Sequence, residues 1–277
     1  MKPLLAVDGD SFAHRSYHAL PKSIRRADGG PAGLLTGVGN LLVRLWEEER
    51  PRAVLVAWDS LFVPTYRHLA LESYQGGREF DADLLEQLDL APQLVESLGF
   101  AVAKAAGYEA DDFLAAAVAF EDARGGIALV ASGDRDTFQL ASEQTTILQP
   151  QKGGGPLTRI GPAEVRERYG VDPEQVPDYI ALRGDPSDKI PGARGVGAKT
   201  AASLLAQYGS LEAALTEGRF AAEADALRLY RHVATMDRDA PLPALEDQEP
   251  TWDRAAALAE EWGLGRLAGR LEALSSS

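Results

Sequence analysis

Short apolar runs that end at an acidic residue are the strongest constraint on what this chain can fold into. Leu4-Leu5-Ala6-Val7 runs into Asp8-Gly9, which reads as a turn, Ala53 to Trp58 into Asp59, and Ile127 to Ala131 into Ser132-Gly133-Asp134. Phe100 to Ala103 and Thr145 to Leu148 are two further runs. Their length fits buried strands, and helical apolar spacing lies between them at Leu34 to Glu49, Ala82 to Leu98 and Glu109 to Ala123. Strands alternating with helices predict an α/β domain on a mainly parallel central sheet flanked by helices. After Gly153-Gly154-Gly155 the strand signals stop. Pro162 to Tyr169, Pro173 to Leu182, Ala198 to Tyr208 and Ser210 to Thr216 each close on or just before a glycine, which predicts a set of short helices. Ala222 to Met236 and Asp253 to Leu274 add two more helical stretches. The expected division is an α/β core over about 1–155 and a helical part over about 156–277. The segment Leu61 to Phe80, with Pro64, Gly76 and Gly77, reads as a surface loop or lid.

In an open parallel sheet, ligands bind beyond the carboxyl ends of the strands. Asp8, Asp59, Asp134 and Asp136 therefore come to one sheet edge. Glu109, Asp111 and Asp112 stand at a helix start in GYEADDFLAAAVAF, and Asp185 and Asp188 lie in GDPSD between two short helices. Any one of these acids can serve as a turn or cap residue. Gathered together without cations they would repel one another and raise their own pKa values. Oxygen ligands with no His or Cys partner suit Mg²⁺ or Mn²⁺. Two such cations can activate water and stabilise the leaving oxygen of a phosphodiester. The four His have no metal-ligand spacing, and there is no Ser-His-Asp order or Walker loop. Metal-assisted phosphodiester hydrolysis is the expected chemistry.

A net charge of −14 at first opposes nucleic-acid binding, which needs Lys and Arg against phosphate. It is compatible with acids gathered on cations and bases clustered elsewhere. Gly192, Gly195 and Gly197 precede a helix and expose backbone N–H groups able to hold a phosphate, with Lys189, Arg194, Lys199 and Thr200 beside them. Arg15, Arg67 and Arg78 lie near the acids, interleaved with Tyr66, Tyr74 and Phe80, a mixture that suits an unstacked single strand. The absence of cysteine excludes disulfides and thiolate metal sites. No apolar run is long enough to cross a bilayer, so a cytoplasmic protein is expected.

The segments VDGDSFAHRSYHAL, VAWD, YRH followed by YQGGR, GYEADDFLA, SGDRD and GDPSDKIPGARGVGAKTA together resemble the bacterial 5′–3′ exonuclease and flap endonuclease family. That family includes the N-terminal nuclease domain of DNA polymerase I and its stand-alone relatives. The resemblance runs from about Leu4 to Leu205. It implies a PIN-like 5′ nuclease core with metal-site carboxylates Asp8, Asp59, Glu109, Asp111, Asp112, Asp134, Asp136, Asp185 and Asp188. It implies a helical arch over about 61–95, through which a 5′ strand passes. A helix–hairpin–helix-like element over about 178–208 would grip duplex DNA, with a bound K⁺. Implied substrates are DNA with a 5′ flap, a nick or a free 5′ end, and RNA primer–DNA hybrids. A monomer working beside a separate polymerase and ligase is expected. Where the family's arch has Tyr-Lys-x-x-Arg, this chain has Tyr74-Gln75-Gly76-Gly77-Arg78, leaving Arg78 as the catalytic arch cation with Arg67 to compensate. Gln75 thus reads as a missing cation, which makes a catalytically weak flap-binding module one alternative. A PIN-like ribonuclease is the other, and it leaves the glycine hairpin and GDPSD unexplained.

Overall fold

Each expected apolar run forms a strand in the computed structural model, which describes residues 1–76, 80–151 and 155–276. The strands are β1 (Leu4–Asp8), β2 (Ala53–Ala57), β3 (Ala101–Ala103), β4 (Ala128–Ala131), β5 (Thr145–Gln149) and β6 (Thr158–Ile160). They make one sheet in the order β3-β2-β1-β4-β5-β6, parallel except for β6. Strand β6 lies beyond the glycine run at which strand signals were expected to end. Three residues are too few to carry a visible alternation, and Ile160 is placed by pairing with Ile147.

Side chains alternate across the sheet. Leu5 and Val7 of β1 and Val54 and Val56 of β2 face one apolar cluster; Leu4, Ala6, Ala53, Leu55 and Ala57 face the other. The first cluster is covered by α1 (Gly9–Ala19), α2 (Gly33–Glu49), α4 (Ala82–Ser97), α11 (Trp252–Glu261) and α12 (Gly265–Ser275). The second is covered by α5 (Ala110–Ala123) and by α6 (Pro162–Tyr169), α7 (Val176–Arg183), α8 (Ala198–Tyr208), α9 (Leu211–Thr216) and α10 (Ala224–Ala234). A short helix, α3 (Tyr66–Ala70), lies between β2 and α4.

Three expectations need correcting. Asp8-Gly9 is not a turn: Asp8 caps α1 directly, because Phe12, Ala13 and Tyr17 form a buried helical face. Helix α4, placed in the arch, is a core helix that buries Leu84, Leu88, Ala91, Leu94 and Val95. The stretch expected as one helix from Asp253 to Leu274 breaks at Gly263 into α11 and α12, which fold back on the core through Ala255, Ala259, Leu267 and Leu271.

The strand order reverses between β1 and β4, which opens a crevice at their carboxyl ends. Asp8 ends β1, and Ser132-Gly133-Asp134 follows β4.

Candidate active site

The loops at that crevice are laced together by their own carboxylates. Asp8 Oδ1 accepts the Ser11 N–H at 2.9 Å, and its Oδ2 accepts the Ser132 hydroxyl at 2.6 Å. Ser132 Oγ accepts the Asp134 N–H (3.0 Å), and Ser11 Oγ accepts the Gly133 N–H (3.0 Å). Asp10 Oδ2 accepts the Asp59 N–H at 2.7 Å, while Asp59 Oδ1 accepts the Ala110 N–H at the start of α5 at 2.8 Å. The result is a cleft of about 940 Å³ lined by Asp8, Asp10, Asp59, Glu109, Asp111, Asp134, Asp136 and Asp185. Asp8, Glu109, Asp134 and Asp185 come from four separate stretches of chain, and the fold brings them together.

Burial and mutual repulsion set the electrostatics. Burial pushes the Asp8 carboxyl up to about 7 against its hydrogen bonds to Ser132 and Ser11, and Asp59 and Asp134 add repulsion. Burial likewise lifts Glu109 to about 7. Asp111 is held well above the usual carboxylate range by burial, then by Asp134, Asp8 and Asp136. Asp136 is raised by burial and by Asp134, Asp188 and Asp185, with Arg183 opposing. Among the described residues, the Asp111 Oδ1 atom is buried and accepts no hydrogen bond. Also among the described residues, no group of three His, Asp or Glu side chains is arranged to clasp one ion. The oxygen-only donor set and the unbonded Asp111 oxygen nevertheless fit a hard divalent cation.

Several expected site residues are engaged elsewhere. Arg67, expected against DNA, is 3% exposed and Asp112, expected at the metals, is 0% exposed. The guanidinium donates to both Asp112 oxygens at 2.7 and 2.8 Å, and its Nε donates to the Val233 carbonyl at 2.9 Å. Asp112 also accepts the Glu109 and Asp237 N–H groups at 3.1 and 2.9 Å, so its lone pairs are taken. Tyr74, expected to stack on a strand, is buried and donates its hydroxyl to Glu109 at 3.0 Å. Gln75 Nε2 donates to the Tyr74 oxygen (3.0 Å) and to Asp188 Oδ1 (3.1 Å). Asp188 is thus tied to Gln75 rather than lining the cleft. The Lys189 ammonium donates to the Gly76 carbonyl. Arg78 lies outside the described residues.

Between α7 and α8 the chain makes a tight hairpin. Asp185 and Ile190 exchange two backbone hydrogen bonds of 2.8 Å, and the Ala193 N–H reaches the Leu182 carbonyl at 2.9 Å. The Asp185 carboxylate accepts the Ser187 N–H (2.7 Å) and pairs with Arg183 (3.3 Å). Gly192 has φ 75°, and a methyl group there would lie 2.4 Å from the Gly184 nitrogen. A methyl group on Gly195 or Gly197 would meet nothing within 4 Å. Arg194, Lys199 and Thr200 are exposed around them.

Residues 3–170 match the 5′-3′ exonuclease, N-terminal resolvase-like domain, and residues 171–254 match the 5′-3′ exonuclease, C-terminal SAM fold. The chain belongs to the 5′-3′ exonuclease family. DNA polymerase I of Mycobacterium bovis is 36% identical over 264 residues, covering 91% of this chain and 29% of that protein. The thermostable DNA polymerase I of Thermus filiformis is 36% identical over 281 residues, covering 96% of this chain and 33% of its own length. The chain thus spans about a third of the length of these relatives. The bacteriophage T5 flap endonuclease, in a complex with DNA and metal ions, superposes with a TM-score of 0.71 at 18% identity. That match covers 99% of this chain and 100% of the phage chain, and at such identity it concerns the fold.

Within this family frame, sequence reasoning missed three groups at the cleft. Asp10 follows Asp8 by two residues and is buried against Asp59. Arg135, between Asp134 and Asp136, and Arg183, at the end of α7, line the cleft with Arg15. The Asp-x-Asp spacing at Asp8 and the basic residue inside SGDRD were the available signals.

Proposed function

We propose that the chain hydrolyses phosphodiester bonds of DNA at 5′ flaps, nicks and free 5′ ends, with two divalent cations, Mg²⁺ or Mn²⁺, as cofactors. The observation that carries this is the convergence of carboxylates from β1, β2, β4, α5 and the α7–α8 hairpin on one cleft. Asp8, Asp59, Glu109, Asp111, Asp134, Asp136 and Asp185 would hold the cations, some directly and some through water. When bound, such a pair supplies an activated water and charge neutralisation on the leaving oxygen. The protein's own part is positional. The bonds from Asp10 to Asp59 and from Asp59 to Ala110 keep the strand ends and the α5 terminus in register. Arg15, Arg135 and Arg183 offer guanidinium groups to a phosphate entering the cleft.

The glycine hairpin fits the backbone of duplex DNA, through the exposed α8 N-terminus and Lys199. A K⁺ ion at that turn belongs to the same proposal. Recognition of backbone rather than bases makes the specificity one for structure, and RNA primer–DNA hybrids fall within it. Primer processing in replication and excision repair are the proposed settings, for a nuclease that acts as a monomer. Among the described residues no helix is long and apolar enough to cross a membrane.

The test is product mapping on 5′-labelled flap, nicked and blunt DNA, with and without Mg²⁺ or Mn²⁺. Cleavage should require the metal and vanish in Asp111→Ala, whose circular dichroism should match wild type. An Asp111→Ala protein that cuts a flap at the wild-type rate would sink the reading.

A further inference from the structure

Beside the carboxylate cleft lies a second hollow of about 350 Å³ that the metal chemistry does not use. Leu61, Phe62, Val63, Pro64 and Phe80 give it apolar walls. It shares Asp59, Leu61, Gln75, Phe80 and Glu109 with the cleft, so the two are continuous. Phe62 is 81% exposed and Val63 43% exposed, two large apolar side chains held toward solvent at this rim. The Phe62 backbone has φ 68°, a left-handed conformation that disfavours a bulky residue. The Val63 N–H donates to the Ser60 carbonyl at 3.3 Å, which closes the turn that presents the ring. Exposure of the ring and backbone strain both oppose this arrangement in the free protein, and such strain concentrates at ligand clamps.

The lining selects the occupant. Leu61, Phe62, Val63, Pro64 and Phe80 give apolar surface, while Asp59 and Glu109, assigned above to the cations, stand where the hollow joins the cleft. A phosphate finds its partners at the cations, and the apolar walls offer it none. A flat, uncharged group is accepted.

Resting on the nuclease reading, we propose that this hollow receives an unstacked nucleobase from the single-stranded side of the scissile phosphate, with Phe62 as its stacking platform. A strand whose phosphate lies at the carboxylates has its neighbouring base within reach of the shared wall at Gln75 and Phe80. Stacking on an aromatic ring is tolerant of sequence, in keeping with a nuclease that reads structure. The turn at Phe62 then discriminates a flap with an ordinary unpaired base from one whose base is missing.

The experiment is single-turnover cleavage with Mg²⁺ on 5′ flaps carrying either a normal nucleotide or an abasic site at the first or second unpaired position. Wild type, Phe62→Ala and Phe62→Trp are compared. Wild type should slow about tenfold on one of the abasic flaps, the scale of one lost base–aromatic contact. Phe62→Ala should slow similarly on the normal flap and lose nothing more on the abasic one, and Phe62→Trp should keep the wild-type rate. In the inactive Asp111→Ala background, 2-aminopurine at the same position should change fluorescence on binding only when Phe62 is present. Phe62 is exposed, so Phe62→Ala should melt with wild type, which separates a lost contact from a lost fold. Equal rates for Phe62→Ala and wild type on the normal flap would overturn the base site and leave the ring to a protein partner. Full, additive abasic losses in Phe62→Ala would overturn it as well. If wild type cuts no flap at all, the nuclease reading fails first.

Discussion

At Arg67 a guanidinium is buried where no solvent can screen it, and its worth depends on Asp112 beside it. The pair shares two hydrogen bonds, at 2.7 and 2.8 Å, and Glu109 stands 3.4 Å away. Removing one partner leaves an uncompensated charge in the interior. Arg67→Ala should therefore cost about 3–5 kcal/mol in urea unfolding, and a cost below about 1 kcal/mol would place the pair in contact with water. The bridge at Gln75 acts differently. Its amide joins Tyr74, and through it Glu109, to Asp188, so a neutral side chain here orders two carboxylates near the cleft. Gln75→Leu should lower single-turnover cleavage about tenfold, the scale of a lost hydrogen bond to a charged group. It should also raise the Mg²⁺ concentration for half-maximal rate. Gln75→Lys keeps a donor toward Asp188 and should hold or exceed the wild-type rate. A large loss in Gln75→Lys, or an unchanged Mg²⁺ response in Gln75→Leu, would contradict the bridge.

Between elements, the α7–α8 hairpin separates glycines needed for packing from glycines left open to a ligand. Gly192→Ala sets a methyl group against backbone at 2.4 Å with φ 75°, and neither can relax without moving the hairpin. It should lower the melting temperature. Gly197 has an extended φ of −100° with open space around it. Gly197→Val should leave melting nearly unchanged and weaken duplex binding in fluorescence anisotropy. Equal melting losses in both variants would remove the distinction.

The same scale explains what could be read from the chain. Strands that end in Asp are local patterns, so β1, β2 and β4 and their acids were legible, as was α5 with its acidic first turn. Which of Asp111 and Asp112 faces the cleft was not, because neighbours on a helix point about 100° apart. The choice is made by Arg67, 45 residues away in the chain. Asp10 was hidden by the same kind of gap: it enters the site only because α1 starts at Gly9, and the buried face that stabilises α1 is tertiary.

Across the whole molecule, a chain of net charge −14 gathers part of its acids where they are most costly, in one buried cleft. The raised carboxylates make folding take up protons. Asp8 and Glu109 titrate near 7 in the native state, against about 4 in an unfolded chain. Asp10, Asp111 and Asp136 are raised too. Between about pH 4 and about pH 7 the native state therefore binds more protons than the unfolded one, and stability falls as pH rises through that window. Surface acids whose pKa is lowered, such as Glu212 beside Arg228, work the other way, losing their contribution only below about pH 4. In EDTA the melting temperature should accordingly decline from about pH 5 to about pH 8. A divalent cation binds the ionised cleft, so Mg²⁺ should raise the melting temperature more at about pH 8 than at about pH 5. Asp111→Asn removes one of the repelling charges. It should melt above wild type in EDTA at the higher pH, match it at the lower, and gain less from Mg²⁺. Melting curves that run parallel with and without Mg²⁺ across this range would mean that the cleft carboxylates are not the cation site.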